Sequence, residues 1–210
     1  MINGLMPWGN HRLLPLGPMR EPLTALGRAN IVVVHHADLV SEQALDNIES
    51  TVREIKESLH IFYSRMAASH FLLVKNTPIS MPLTAAVNKV LLCVSAIGSP
   101  NAFVKCIEKL GPLHVDRIDF SDHYLFQAKD IYMIKVKAQN LEDRFGLKPA
   151  IVVTEKDYDR HQGILLHLHP FDVFVLCSRL RFEPRRGCSE DSFKKLLVQL
   201  LGVRDHRLSI

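Results

Sequence analysis

Short apolar runs alternate with amphipathic stretches along this chain. The strand-like runs are IVVV (31–34), HFLLV (70–74), KVLLCVSAIG (89–98), LHVDRIDF (113–120), AIVVT (150–154) and DVFVLCSRLRF (172–182). Strands that alternate with helices are typical of a parallel sheet whose strands are joined by crossover helices. The pattern therefore predicts an α/β fold.

Between the strands, apolar residues recur every three or four positions, which predicts helices with one apolar face. Ser41, Ser99 and Ser189 are predicted N-caps, Pro100 suits a first helical position, and Gly146 is a predicted helix end. The apolar stripes are Leu45, Ile48, Val52, Ile55 and Leu59; Phe103, Cys106, Ile107 and Leu110; Ile131, Ile134, Ala138, Leu141 and Phe145; Phe193, Leu196, Leu197, Leu200 and Leu201.

The element pattern suggests two domains. A stretch that contains Pro78 and Pro82 interrupts it, so residues 66–88 are predicted as a linker between residues 1–65 and 89–210. We expect the last strand and helix of the second part to be able to pack back. The first 30 residues are expected to be mostly loop.

Composition places the chain among ordinary folded proteins. Its 210 residues are 47% hydrophobic and 23% charged, and the formal charge of +4 is too mild to identify a partner. Trp8 and the scattered aromatic residues form no stacking platform for nucleic acid. We expect four reduced cysteines, no membrane-spanning run, and no signal or transit peptide at the N-terminus.

Polar motifs follow several predicted strands. His35 and His36 come after the first strand, and SAIGSPN (95–101), FSDHY (120–124) and TEKD (154–157) come after later ones. Open parallel sheets bind ligands outside the carboxyl ends of their strands, so these motifs are candidates for a shared site. Loops at strand ends are also polar without any function, so both interpretations stay open.

Each motif has a functional and a structural interpretation. Asp122 and His123 could act in acid–base chemistry, or His123 could be a hydrogen-bonded loop residue. TEKD could present Lys156 to phosphate, or could be a solvated helix start with a local ion pair. The turn at 96–99 could bind an anion on free helix amides, although a helix cap explains it fully. HLHP (167–170) and His35–His36 lack the carboxylate or cysteine neighbours of zinc sites, so no metal is expected there.

Four motifs, taken in order, resemble one enzyme family. The segment GNHRLLPLGPMREPLTALGRANIVVV (9–34) is similar to the Gly-Asn, Leu-Leu-Pro and Gly-Pro-x-Arg-Glu-Pro-Leu segment of the tetraacyldisaccharide 4′-kinases, the lipid A 4′-kinases. SAIGSPNAF resembles the family's Gly-Ile-Gly-x-Pro-x-x-Phe turn, FSDHY its Phe-Pro-Asp-His, and VVTEKD its Thr-Glu-Lys-Asp.

The resemblance implies a P-loop-kinase-like fold and transfer of the ATP γ-phosphoryl group, with Mg²⁺, to the 4′-hydroxyl of an acylated glucosamine disaccharide 1-phosphate. It places Arg20 and Glu21 on the phosphate and metal side of the site. It implies that His123, with Asp122, supports an aspartate base acting on the sugar hydroxyl. The auxiliary residues that it implies are Thr154, Glu155, Lys156 and Asp157.

The same resemblance indicates that the chain corresponds to the C-terminal portion of the family, with residues 1–65 the end of the P-loop domain. The family's Gly-rich loop, base aspartate and Asp-Asp-Gly metal-binding segment lie upstream of GNHRLLP, so we expect this chain alone to bind no metal and to have no kinase activity. Departures from the family pattern are His11 and Ala96 in place of glycines, Ser121 in place of a proline, and Arg160 near an expected lysine.

VVHHADL and SEQALDNIES are more similar to the plant branch of the family, which implies a mitochondrial protein whose targeting segment is not in this chain; the alternative is the cytoplasmic face of a bacterial inner membrane. The implied partners are the acylated disaccharide lipid and, peripherally, a membrane, with no nucleic acid. A catalytically silent α/β binding module or regulatory short form is the competing interpretation, and an unstable fragment is a third.

Overall fold

The computed structural model describes residues 1–75 and 77–202. Its strands are β1 (Ile2–Asn3), β2 (Ile31–His35), β3 (His60–Leu73), β4 (Ile79–Met81), β5 (Val90–Ser95), β6 (His114–Asp119), β7 (Ala150–Thr154) and β8 (Val173–Glu183). Its α-helices are α1 (Glu42–Ile55), α2 (Pro100–Glu108), α3 (Ala128–Phe145), α4 (Glu155–Leu165) and α5 (Glu190–Leu201). The predicted α/β class is confirmed.

The chain forms two compact units. Unit 1 joins Met1–Met66 to the described residues from Leu180 onward, and unit 2 is Ala67–Arg179. Strands β3 and β8 each contribute residues to both units. Residues 66–88, predicted as a linker, contain the second half of β3, strand β4 and a 3₁₀ turn at Leu83–Ala86.

The sheet of unit 2 is built around β5. Its strands lie in the order β3-β8-β7-β5-β6, with β4 antiparallel to β3. Strand β5 is parallel to β6 on one side and to β7 on the other, with Leu91 opposite both Val115 and Ala150. All six residues of β5 are buried, as expected for a central parallel strand covered on both faces.

Alternate residues of β5 contribute to two cores. Val90, Leu92 and Val94 pack with the apolar face of α3 and with Leu165 of α4. Leu91 and Cys93 point to the opposite face and pack with α2. Because successive side chains of a strand point to opposite faces, this six-residue run serves both layers.

Unit 1 contains a short parallel sheet with strand order β1-β2-β3, in which Val34 lies opposite both Ile2 and Tyr63. Leu45, Ile48 and Val52 of α1 are buried in its core. The segment after β8 is held to α1 by ion pairs, since Arg185 contacts Glu42 and Asp46 and Arg186 contacts Asp46 and Glu49.

Two sequence-based boundaries were wrong. The stripe predicted for α1 continues to Leu59, but the helix ends at Ile55, because Lys56 is extended, with φ −156° and ψ 104°. Arg53 donates hydrogen bonds to the carbonyls of Glu57 and Leu59 in the segment that follows. The strand predicted at 70–74 is the end of the 14-residue strand β3. Four consecutive buried residues, 61–64, hide the alternation that would have revealed its start.

Helix α5 begins at the predicted cap, where Ser189 Oγ accepts from the Ser192 amide at 3.3 Å. Its apolar stripe, however, contains no buried residue. Phe193 contacts Phe62 and Phe182, whereas Leu197, Leu200 and Leu201 are exposed. All four cysteines are free. Among residues 1–75 and 77–202, no helix is long and apolar enough to cross a membrane.

Candidate functional site

The motifs after β5, β6 and β7 meet at the carboxyl ends of these parallel strands in unit 2. Asp157 ties two of them together. Its carboxylate is completely buried and accepts from the Ala96 amide at 3.2 and 3.3 Å and from the Thr154 hydroxyl at 2.7 Å. Thr154 in turn caps α4 by accepting from the Asp157 amide at 3.2 Å. Thr154 and Asp157 therefore fix the frame of the site, and the Asp157 side chain does not face solvent.

Lys156 and Asp122 form the charged contact of the site. Lys156 Nζ lies 2.7 Å from Asp122 Oδ1, and both side chains are partly exposed. The hydrogen bond from Lys156, followed by the nearby charges of Lys156 and His123, holds the pKa of the Asp122 carboxyl below its usual range. Asp122 is therefore an ionised acceptor at neutral pH. Gly98 lies beside it, and a Cβ there would come within 3.4 Å of Asp122 Oδ2.

His123 is held by its backbone in an uncommon conformation. Its φ of 66° is in the left-handed region, and its amide donates to the Ala96 carbonyl at 3.2 Å. On the ring, Nε2 lies 3.6 Å from Asp122 Oδ2 and Nδ1 lies 2.8 Å from the Arg160 guanidinium. Both sides of the imidazole therefore face charged groups.

The contact with Arg160 was not predicted as part of the site, although the residue was noted as a departure from the family pattern. A signal was present: Arg160 lies four residues after Lys156, so the two side chains project from one face of α4. That face reaches Asp122 and His123, which are neighbours in sequence.

Glu155 and the turn at 96–99 have structural roles. Glu155 accepts from the Ser178 amide at 3.0 Å. Burial, followed by the charge of Glu155, raises the pKa of the Cys177 thiol to about 11. The Ala96 amide donates to Asp157 and is therefore not available to an anion, and the Ala96 carbonyl accepts from the His123 amide. Ser99 is the residue before α2, as predicted, but its side chain accepts no capping hydrogen bond.

Arg20 and Glu21 belong to unit 1. Glu21 forms an ion pair with Arg28, and both side chains are largely exposed. Arg20 and Glu21 line a cavity of about 470 Å³ whose other walls are mainly apolar and include Met6, Trp8 and Met19. The loop before them is compact, because Asn10 donates to the Leu16 carbonyl at 2.9 Å and accepts from the Arg12 amide at 3.1 Å.

His35 and His36 also belong to unit 1 and lie at the carboxyl end of β2. Burial lowers the pKa of both rings, that of His36 to about 4, so both are neutral at pH 7. Their centroids are 4.0 Å apart, and His35 Nδ1 lies 3.0 Å from Ser64 Oγ. Within the part of the chain that the structure describes, no group of three His, Cys, Asp or Glu side chains could hold a metal ion.

Comparison with known proteins gives a consistent result. The sequence model of the tetraacyldisaccharide-1-P 4′-kinase family matches residues 1–200. The chain belongs to this family. It is 48% identical over 204 residues to the probable mitochondrial tetraacyldisaccharide 4′-kinase of Arabidopsis thaliana, covering 97% of this chain and 52% of that protein. It is 26% identical over 166 residues to the tetraacyldisaccharide 4′-kinase of Halothermothrix orenii, covering 75% of this chain and 42% of that one.

A crystal structure described as apo-form LpxK from Aquifex aeolicus in complex with ATP is also similar, at 20% identity and a TM-score of 0.46. That alignment covers 90% of this chain and 48% of the crystallised one. The chain thus spans about half the length of the curated relatives that it matches. The predicted family is confirmed.

Proposed function

We propose that this chain supplies the sugar-hydroxyl side of a tetraacyldisaccharide 4′-kinase, an enzyme that transfers the ATP γ-phosphoryl group to the 4′-hydroxyl of an acylated disaccharide 1-phosphate. The observation that carries the proposal is the Asp122–His123 pair at the carboxyl ends of parallel strands, held by Lys156 from the next motif. What supports the substrate class is family membership and the names of the relatives.

Within this proposal, each described residue has a limited role. Asp122 is ionised and can accept a hydrogen bond from a sugar hydroxyl, while the His123 ring can donate one to a carboxylate. Thr154 and Asp157 keep the loops that carry these groups in register. Positioning of this kind accounts for much of the catalysis of phosphoryl transfer.

ATP would supply the transferred phosphoryl group and Mg²⁺ would offset its charge, but the described residues do not fit these groups alone. They include no set of three metal-ligating side chains, and the chain contains no Gly-rich loop followed by Lys and Ser or Thr. A segment with those groups is required for turnover in our proposal.

The test is a transfer assay with labelled ATP, Mg²⁺ and an acylated disaccharide 1-phosphate. The chain would be assayed alone, and fused to the N-terminal half of the Arabidopsis relative. We expect transfer only in the fusion, and a loss of at least about 100-fold in the Asp122→Asn and His123→Ala fusions. Asp143→Asn, an exposed change on α3, is the matched control and should retain the rate.

Three results would contradict parts of this proposal. Transfer by the chain alone would refute the need for a further segment, and full activity of both site variants would refute the assigned site. A folded fusion that binds the acylated disaccharide without transferring phosphate would favour the binding-module alternative.

Mitochondrial localisation and peripheral membrane contact are further parts of the proposal. The first rests on the printed name of the plant relative, and the second on the acylated substrate that the relatives' names state. Subcellular fractionation of native protein, followed by carbonate extraction of the membrane fraction, tests both. Recovery only in a non-mitochondrial fraction would contradict mitochondrial localisation. Recovery of the protein without membranes would contradict peripheral membrane contact.

A further inference from the structure

Two cations on α4 contact two neighbouring residues of the loop after β6. Lys156 Nζ contacts Asp122 Oδ1 at 2.7 Å, and one turn later the Arg160 guanidinium contacts His123 Nδ1 at 2.8 Å. The first contact is an ordinary ion pair. The second constrains the chemistry of the imidazole, because a guanidinium group has only hydrogen-bond donors.

The donor-only character of Arg160 decides which ring nitrogen of neutral His123 carries hydrogen. Nδ1 must present its lone pair to the guanidinium, so the hydrogen of the neutral ring lies on Nε2. Nε2 is the nitrogen on the Asp122 side, 3.6 Å from Oδ2. The ring is thereby set to donate a hydrogen bond on the side of the site.

Neighbouring buried contacts hold Arg160 and His123 near each other. His161, which follows Arg160, is buried and interrupts the helical geometry of α4, with φ −130° and ψ 19°. Its ring stacks on Phe126 with centroids 4.3 Å apart. Phe126 lies in the same loop as His123 and also contacts Phe120, the first residue after β6. The loop and α4 are therefore joined by a buried ring pair beside the exposed Arg160–His123 contact.

The geometry points to Arg160 as a positioning residue that sets the tautomer of His123, an inference that rests on the proposed function. With Nδ1 occupied, His123 acts as an Nε2–H donor toward a carboxylate and does not take up the hydroxyl proton at Nδ1. Arg160 itself touches no reacting atom in this role. Its contribution is to keep Nε2 of His123 a hydrogen-bond donor throughout binding.

The tautomer can be read directly from long-range ¹H–¹⁵N correlations of histidine rings in the whole chain, at about pH 8.5, where imidazole is neutral. The chain has 11 histidines, so the His123→Gln spectrum identifies the signals of interest. We expect the Nε2–H pattern in the original chain and in Arg160→Lys, which keeps a donor. In Arg160→Glu, an acceptor replaces the donor, so the hydrogen is expected to move to Nδ1.

Lys129→Glu, the same charge reversal at an exposed position of α3, is the control and should leave the His123 pattern unchanged. Backbone amide spectra of each variant report whether it has folded. In the active fusion, we expect Arg160→Glu to lower kcat by at least about tenfold with little change in KM, and Arg160→Lys to recover most of that loss.

An Nδ1–H pattern in the original chain, or an unchanged pattern in folded Arg160→Glu, would overturn the inference. The ring measurement needs neither ATP nor sugar, so it is independent of the transfer assay. If the fusion is inactive but the His123 tautomer responds to Arg160→Glu as expected, the proposed function is refuted and the Arg160–His123 coupling still stands. If the fusion is active but Arg160→Glu changes neither the His123 tautomer nor kcat, this inference alone is refuted.

Discussion

At the residue scale, buried polar groups hold both units in place. Asp157 in the candidate site and Tyr63 in unit 1 are both almost fully buried, and each makes hydrogen bonds with groups distant in sequence. A buried acceptor or donor that loses its partner keeps its desolvation cost, so such contacts are sensitive to substitution. Exposed pairs such as Lys156–Asp122 contribute less to stability, below about 1 kcal/mol, and matter through the orientation of the side chains.

Replacement of Asp157 by alanine tests the frame of the site. The substitution leaves the buried Ala96 amide and the Thr154 hydroxyl without their acceptor. We expect the free energy of unfolding to fall by about 2 to 4 kcal/mol, measured by urea denaturation. Asp159→Ala, at an exposed position of the same helix, should change it by less than about 0.5 kcal/mol. Equal effects would show that the Asp157 contacts contribute nothing specific.

The environment of Tyr63 leads us to expect a loss of stability at alkaline pH. Burial, followed by its hydrogen bond to Glu49 at 2.8 Å, raises its pKa from 10.0 to about 12. A group whose pKa is raised in the folded state adds stability that is fully present below about pH 10 and is lost as the pH rises through about 12. Ultraviolet titration of phenolate should therefore show one of four tyrosines ionising late.

Two variants assign that late transition. Tyr63→Phe should remove it, and Tyr132→Phe, at a residue 72% exposed, should leave it in place. A titration of the unsubstituted chain without a late transition would contradict the predicted environment of Tyr63.

At the element scale, the loop before Arg20 depends on close backbone packing. A Cβ at Gly17 would lie 2.3 Å from the Arg12 carbonyl oxygen and 2.1 Å from Asn10 Oδ1, which is closer than atoms can approach. The loop therefore requires glycine at this position for space. Close packing at Gly17 therefore helps to make this loop compact.

Gly17→Ala should lower the free energy of unfolding by about 1 to 3 kcal/mol, because the backbone must move to admit the methyl group. Gly27→Ala is a matched control, since a Cβ there would meet nothing within 4 Å. The control should be neutral or slightly stabilising in the same denaturation experiment. If Gly17→Ala behaves like Gly27→Ala, the loop is able to relax at little cost.

At the scale of the whole molecule, unit 1 leaves apolar surface uncovered. The exposed fractions of Leu197, Leu200 and Leu201 on α5 are 38%, 46% and 66%. Exposed apolar patches, unlike single exposed residues, promote association.

The dye 8-anilinonaphthalene-1-sulfonate reports this surface through its fluorescence. The double variant Leu197→Lys and Leu200→Lys should lower dye fluorescence and reduce association as judged by light scattering. Leu147→Lys changes one exposed leucine in unit 2 and should alter neither signal. An unchanged double variant would show that α5 is not the main apolar surface in solution.

Much of the fold could be predicted from local pattern. The buried run of β5, the caps at Ser41, Thr154 and Ser189, and the helix end at Gly146 each follow from a few adjacent residues. Motif order also identified the family, because four short segments in sequence are specific even where each one is weak. These are features for which local side-chain chemistry and spacing are sufficient.

Other features depended on contacts between distant residues. Four features could be known only once the elements were placed in space. They are the end of α1 at Ile55, the burial of Asp157 against Ala96, the absence of buried residues on α5 and the contact of Arg160 with His123. A stripe on a helix indicates which face can be buried, but only a packed neighbour buries it. In the same way, a motif names the side chains of a site, and the packing of strands and loops sets which of their atoms meet.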